Sequence, residues 1–110
     1  MTDEELIEFS LEFRKGILGE YPSNYMCYAI SAPLLSLLNI YGINGDLEES
    51  DLGECNHIYI RLSDGRVLDP SADQFNWCSR EELPSVYLGY DKIIHKNYNE
   101  NIHKAQPDTE

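Results

Sequence analysis

The sequence predicts an α+β domain in which N-terminal helices pack on a small antiparallel sheet. Apolar residues near the start of the chain recur at the spacing of one helical face, at Leu6, Phe9, Phe13 and Ile17. From Ile58 to Leu62 they instead alternate with Tyr and Arg, the period of two of a strand with one buried face. A glycine-containing turn follows, as in a β-hairpin.

Length and charge limit the class of protein. The chain has 110 residues, of which 42% are hydrophobic, enough for one modest core. We predict a single domain over residues 1–98 and a polar, disordered tail over 99–110. Twenty acidic against eight basic residues give a net charge of −12, which disfavours nucleic acid as a partner.

The chain is expected to be cytoplasmic and not to enter a membrane. It contains no apolar run near the roughly 18 residues that span a bilayer, and it starts with acidic residues where a signal peptide would be basic. Three cysteines are an odd number, which disfavours a disulfide framework. The sequence does not predict an oligomeric state.

The first helix has a recognisable start. Thr2 followed by Glu5 matches the capping box, in which each side chain accepts a hydrogen bond from the other residue's backbone. The helix should end near Gly16–Gly19.

A second helix is predicted from Tyr25 to Tyr41, with Ser23 or Asn24 as its N-cap. Pro33 would kink this helix or mark where it restarts. Cys27 falls in the first turn, where unpaired backbone donors and the helix dipole favour an anion and lower the pKa of a thiol. The sequence therefore predicts a reactive cysteine.

A hairpin over Asn56–Asp69 is the strongest β prediction, and its turn decides which side chains meet. A two-residue loop at Asp64–Gly65 would place His57 and Asp69 on opposite faces. A three-residue loop at Ser63–Gly65, ending in a left-handed glycine, would place them diagonally on one face. We favour the three-residue loop because it also keeps the carboxylate away from the aliphatic face.

Two further strands are predicted with weaker signals. Ile43–Glu49 reads as a short strand despite a glycine and an aspartate within it, and Val86–Gly89 reads as the last strand.

Cys27, His57 and Asp69 stand in the order of a thiol nucleophile, its general base and the carboxylate that orients the base. Each alone is more often a packing residue than a catalyst. Together they supply what thiol catalysis requires, since the thiol needs a base and the base needs an orienting acceptor. We predict that these three residues form a catalytic triad.

No cofactor or metal is expected. Cys55 and His57 are close in sequence, but their spacing does not match paired zinc ligands and no second knuckle answers them. The His-x-Glu and Pro-Cys-x-x-Cys signature of zinc deaminases is absent from the sequence.

Two segments resemble the core of the transglutaminase-like branch of the papain-like fold. They read CYAISAPLLSLLNIYGI and HIYIRLSDGRVLDPSADQF, and the resemblance covers roughly residues 24–89. It implies a papain-like α+β core with Cys27 as nucleophile, His57 as base and Asp69 as orienting acid. The tryptophan that commonly follows the histidine by two residues is Tyr59 here.

The resemblance does not identify the oxyanion donor that would assist the Cys27 backbone N–H. Asn24, Asn56 and Gln74 are the candidates for this oxyanion or substrate-binding role.

The resemblance implies acyl transfer or hydrolysis at an amide, with a peptide or a protein side-chain amide as substrate. Peptidase, amidase, glutamine deamidase and transglutaminase activities all occur on this fold. The alternative is a non-catalytic binding module, or a domain associated with a toxin or effector, on the same scaffold. Asp73–Trp77 would then be a recognition loop, although Phe75 and Trp77 are expected to cap the core.

Overall fold

The computed structural model describes residues 1–19, 26–53, 55–77 and 81–97, and the predicted tail at 99–110 lies outside them. The helices are α1 (Asp3–Leu18) and α2 (Cys27–Ile40), and the strands are β1 (Gly45–Asp51), β2 (Asn56–Leu62), β3 (Val67–Asp69) and β4 (Tyr87–Gly89). Two short 3₁₀ helices follow β3 and β4, at Ala72–Phe75 and Ile93–His95. The predicted α+β class is confirmed. In the described parts of the chain, no helix is both long and apolar enough to cross a bilayer.

The start of α1 has the predicted capping box. Glu5 N–H donates to Thr2 Oγ1 at 3.1 Å, and Thr2 N–H donates to Glu5 Oε1 at 2.8 Å. The helix ends at Leu18, and Gly19 follows with a φ of 64° that favours glycine.

Helix α2 begins at Cys27, two residues after the predicted start at Tyr25. Met26 occupies the N-cap position and makes no capping hydrogen bond through its side chain. The predicted caps, Ser23 and Asn24, lie outside the described residues. The cysteine is therefore the first residue of the helix, where the backbone N–H groups have no partner within the helix.

The buried face of α2 fixes its place on the sheet. Ile30, Leu34 and Leu38 are fully buried, and the helix continues through Pro33, which lies on its exposed side. The core joins both helices to one face of the sheet and contains Leu6, Leu34, Leu38, Ile60, Leu62, Leu68 and Val86.

The four strands form an antiparallel sheet in the order β1-β2-β3-β4, so each strand pairs with its neighbours along the chain. Strand β1 starts at Gly45, two residues later than predicted, and its Ser50 lies opposite His57 of β2. The last predicted strand is present as β4.

The hairpin between β2 and β3 has the three-residue loop. Leu62 N–H donates to Arg66 O at 2.8 Å, and Ile60 lies opposite Leu68. Gly65 has a φ of 94°, the left-handed conformation that this loop requires. Because side chains alternate along a strand, this register places His57 and Asp69 on the same face of the hairpin.

Candidate active site

His57 and Asp69 meet directly on the hairpin. His57 Nε2 lies 2.6 Å from Asp69 Oδ2, and both side chains are completely buried. A hydrogen bond this short between a ring nitrogen and a carboxylate is charge-assisted. The diagonal pairing therefore gives the imidazole a fixed orientation.

Asp69 is also held through its other oxygen. Oδ1 accepts a hydrogen bond from Ser71 N–H at 3.0 Å, in the Asp-Pro-Ser turn that ends β3. Burial raises the pKa of Asp69, but hydrogen bonds from His57 and His95 lower it by more, so the net pKa is lowered from 3.8 to about 2. Asp69 is thus a carboxylate at neutral pH.

Cys27 completes the group from the N-terminus of α2. Burial raises the pKa of the Cys27 thiol, while hydrogen bonds from His57 and from the backbone N–H groups of Ile58 and Tyr28 lower it, and the net pKa is lowered. The Tyr28 N–H belongs to the first turn of the helix. The sequence predicted that the start of a helix lies beside the thiol, and the Tyr28 N–H is the helix donor that lowers the pKa of the thiol.

His57 responds in the opposite direction. Burial lowers its pKa, but the hydrogen bonds and negative charges of Asp69 and Cys27 raise it to about 9. His57 therefore carries a proton at neutral pH, and its charge shifts Cys27 towards the thiolate form. Because Nε2 binds Asp69, Nδ1 is the ring nitrogen left for other partners.

Gln74 approaches that same nitrogen. Its side-chain amide lies 2.8 Å from His57 Nδ1 through Nε2, and among the described residues Gln74 Oε1 is buried without a hydrogen-bond partner. Nδ1 accepts this hydrogen bond only when it carries no proton. A protonated Nδ1 instead donates to the amide oxygen Oε1, so the raised pKa of His57 favours the orientation in which Oε1 faces Nδ1.

The other predicted oxyanion candidates are placed differently. Asn56 is exposed and donates through Nδ2 to Glu49 Oε2 at 2.9 Å, on the opposite strand face from His57. Asn24 lies outside the described residues. The structure therefore brings together Cys27, His57, Asp69 and Gln74, and it leaves Asn56 at the surface.

The aromatic residues after Gln74 separate into two environments. Phe75 packs edge-on against His57, with ring centroids 5.3 Å apart and an interplanar angle of 80°. Trp77 is 80% exposed, so the expectation that it caps the core is wrong. The first 3₁₀ helix ends between them, and Trp77 falls beyond its last turn.

Arg14 of α1 fixes the segment that carries Gln74. Its guanidinium binds both carboxylate oxygens of Asp73 at 2.7 Å and donates to Pro70 O and Ser85 O. Sequence reasoning missed this contact because Arg14 lies 59 residues from Asp73. Arg14 is the one arginine of α1, a helix otherwise rich in acidic residues, and this was the available signal.

His95 was also missed. It is buried, and its Nε2 lies 2.7 Å from Asp69 Oδ2, the atom that also binds His57. The surrounding sequence is polar, and only the apolar pair Ile93-Ile94 hinted that this segment docks on the domain.

His57, Asp69 and His95 have the chemistry of a metal-ligand set, since one ligand atom of each lies within 4.8 Å of the others. Tetrahedral zinc with bonds of about 2.0–2.1 Å keeps its ligand atoms about 3.3 Å apart. Both nitrogens instead approach the Asp69 oxygen at 2.6 and 2.7 Å. These distances fit hydrogen bonds rather than coordination.

Comparisons with known proteins leave the chain without an assigned family. No protein-family model, no curated protein and no solved structure matches it.

Proposed function

We propose that this protein is a thiol-dependent enzyme that cleaves or transfers the acyl group of an amide. The observation that supports this most is the buried 2.6 Å contact between His57 Nε2 and Asp69 Oδ2, beside a thiol, Cys27, whose pKa the same imidazole lowers. Burial of an ion pair of this kind costs desolvation free energy, and activation of a thiol is a function that would explain why the pair is present.

In the first half-reaction the Cys27 thiolate attacks the carbonyl carbon and forms a carbon–sulfur bond. His57 Nδ1 gives its proton to the departing nitrogen, the carbon–nitrogen bond breaks, and an amine leaves. The products are a thioester on Cys27 and a neutral imidazole. Asp69 keeps the remaining proton on Nε2 throughout.

In the second half-reaction an acceptor resolves the thioester. Water or an amine attacks the carbonyl, His57 Nδ1 takes its proton, and the carbon–sulfur bond breaks to restore the thiolate and the imidazolium. Water gives hydrolysis, and an amine gives transamidation. The substrate class is a peptide or a side-chain amide, because the thiol is half-buried and needs a slender, extended acyl group.

The proposal includes a papain-like core of the transglutaminase-like branch and a cytoplasmic location. Supporting the core are the cysteine at a helix start, the histidine on the longer strand of the hairpin and the aspartate on the next strand. Gln74 beside Nδ1 and Phe75 against the ring complete a wall on one side of the imidazole.

The experiment that tests this function traps the thioester. A mixture of glutamine-containing peptides is incubated with hydroxylamine, and hydroxamate products are detected by mass spectrometry. We expect products with wild type and none with Cys27→Ser, while Cys55→Ser, at an exposed cysteine, serves as the matched control. Equal yields from wild type and Cys27→Ser would contradict the proposal.

A binding module is the second candidate, and the exposure of Trp77 favours it. A tryptophan that is 80% exposed, next to the segment that contacts His57, is typical of a recognition surface. This reading predicts that Trp77→Ala abolishes partner binding while the thiol stays unreactive.

A further inference from the structure

Asp69 is hydrogen-bonded to a second histidine, His95, which takes no part in the proposed reaction. His95 Nε2 lies 2.7 Å from Asp69 Oδ2, and His57 Nε2 lies 2.6 Å from the same oxygen. The side chains of all three residues are fully buried. One carboxylate oxygen is therefore shared between two imidazoles.

The hydrogen bonds of His95 define its tautomer. Lys92 N–H donates to His95 Nδ1 at 3.0 Å, and a backbone N–H is always a donor. Nδ1 must then be unprotonated, so the ring proton is on Nε2 and points at Asp69. His95 is thus a dedicated donor to the carboxylate.

The segment around His95 is held firmly on the sheet. Ser50 Oγ donates to Ile94 O at 2.6 Å, and Tyr59 Oη donates to His95 O at 3.1 Å. The His95 ring lies 4.7 Å from the Tyr59 ring and stacks on Tyr87 at 5.7 Å. This environment fixes the direction in which Nε2 donates.

Ionisable side chains from each neighbouring element surround His95 and Asp69. They are Glu48 of β1, His57, Tyr59 and Arg61 of β2, Asp69 of β3, Tyr87 of β4, and Asp91, Lys92 and Lys96 near His95 itself. Arg61 binds Glu48 and Asp91, so the charges nearest to His95 on the solvent side are paired. Asp69 is the buried charge that His95 contacts.

We infer that His95 is a positioning residue of the thiol site, an inference that rests on the proposed function. By donating a hydrogen bond to Asp69 Oδ2, His95 takes up part of the negative charge of the carboxylate. His57 can then release its proton to the leaving amine. A hydrogen bond to a charged acceptor weakens the hold of that acceptor on a second donor. An imidazolium bound too tightly is a poor general acid.

The position of Asp69 does not depend on His95 alone. Ser71 N–H holds Oδ1 at 3.0 Å, so loss of the second imidazole leaves the carboxylate in place. The expected consequence is electrostatic: all of the Oδ2 charge then acts on His57. This distinguishes a tuning role from a purely structural one.

The test is an NMR titration of ¹⁵N-labelled imidazoles in wild type, His95→Phe and His95→Gln, each histidine being assigned by substitution. In wild type, His95 should have a protonated Nε2 and an unprotonated Nδ1. His95→Phe removes the donor and keeps a ring, and we expect the His57 titration to move upward by about one pH unit. His95→Gln retains an N–H donor and should stay near wild type.

Several outcomes overturn the inference. A proton on His95 Nδ1 in wild type would do so without any variant, which covers the case in which His95→Phe does not fold. An unchanged or lowered His57 titration in folded His95→Phe would also do so, and if Cys27 still reacts with iodoacetamide the proposed function survives. An unreactive Cys27 together with the expected upward shift would instead reject the thiol chemistry and leave the charge sharing intact.

Discussion

His57 Nε2 and Asp69 Oδ2 lie 2.6 Å apart although the two residues are twelve positions apart in the chain. The contact exists because Gly65 allows a three-residue loop, which puts both side chains on one face of the hairpin. With a two-residue loop the same residues would lie on opposite faces. The contact between these two side chains therefore depends on the conformation of one turn.

Asp69→Asn should disable the site with limited effect on the fold. An amide at this position cannot accept from Ser71 N–H and from both histidines at once, because one end is now a donor. We expect turnover to fall by about 10⁴-fold as His57 takes the wrong tautomer. Circular dichroism serves as the folding control, and unchanged turnover would remove Asp69 from the mechanism.

The ion pair has opposing effects on stability as pH changes. The pKa of His57 is raised from 6.5 to about 9, so its contribution is complete below 6.5 and is lost as pH rises through about 9. The pKa of Cys27 is lowered from 9.0, so its contribution is present above 9.0 and is lost as pH falls through its folded pKa. Between these limits the two slopes oppose each other.

Cys27→Ser should therefore reveal the pH dependence of the free energy of unfolding that His57 alone causes. In wild type the free energy of unfolding should fall less steeply between about pH 6.5 and 9 than in Cys27→Ser, because the lowered pKa of Cys27 opposes the effect of the raised pKa of His57. In Cys27→Ser it should decrease as pH rises, since Asp69 still holds the proton on His57. Urea unfolding across this range measures both, and a steeper fall in wild type would be inconsistent with the ion pair.

Gln74 should influence the charge of His57 through its amide. Gln74→Glu places a carboxylate beside Nδ1 and should raise the pKa of His57, while Gln74→Met has similar length and should remove the contact without adding charge. NMR titration of His57 distinguishes the two. Identical titrations in both variants would show that Gln74 does not contact the base in solution.

Arg14 should matter more for stability than another arginine with similar partners. Arg14 and Asp73 are mostly buried, and Arg14→Lys should cost about 1.5–3 kcal/mol through lost charged hydrogen bonds. Arg66 pairs with exposed Asp3 and Asp64, where solvent screens the charges, so Arg66→Lys should cost clearly less than Arg14→Lys. Urea denaturation compares them, and equal costs would argue against anchoring by Arg14.

The sequence predicted the parts of the fold that depend on local patterns. The capping box of α1 and the loop ending in Gly65 follow from short-range chemistry, and both are present. The contacts of Arg14 and His95 were not predicted, because each joins residues far apart in the chain. The prediction that Trp77 is buried was wrong because aromatic character predicts burial only on average.

The proposed activation of Cys27 by His57 predicts a selective pattern of alkylation. Wild type, His57→Gln and Cys55→Ser are treated near neutral pH with sub-stoichiometric iodoacetamide, and the modified cysteines are located by mass spectrometry. We predict that Cys27 is labelled in preference to Cys55 and Cys78, that labelling falls at least tenfold in folded His57→Gln, and that Cys55→Ser behaves as wild type. Equal labelling of all three thiols, or labelling of Cys27 that does not depend on His57, would contradict the account.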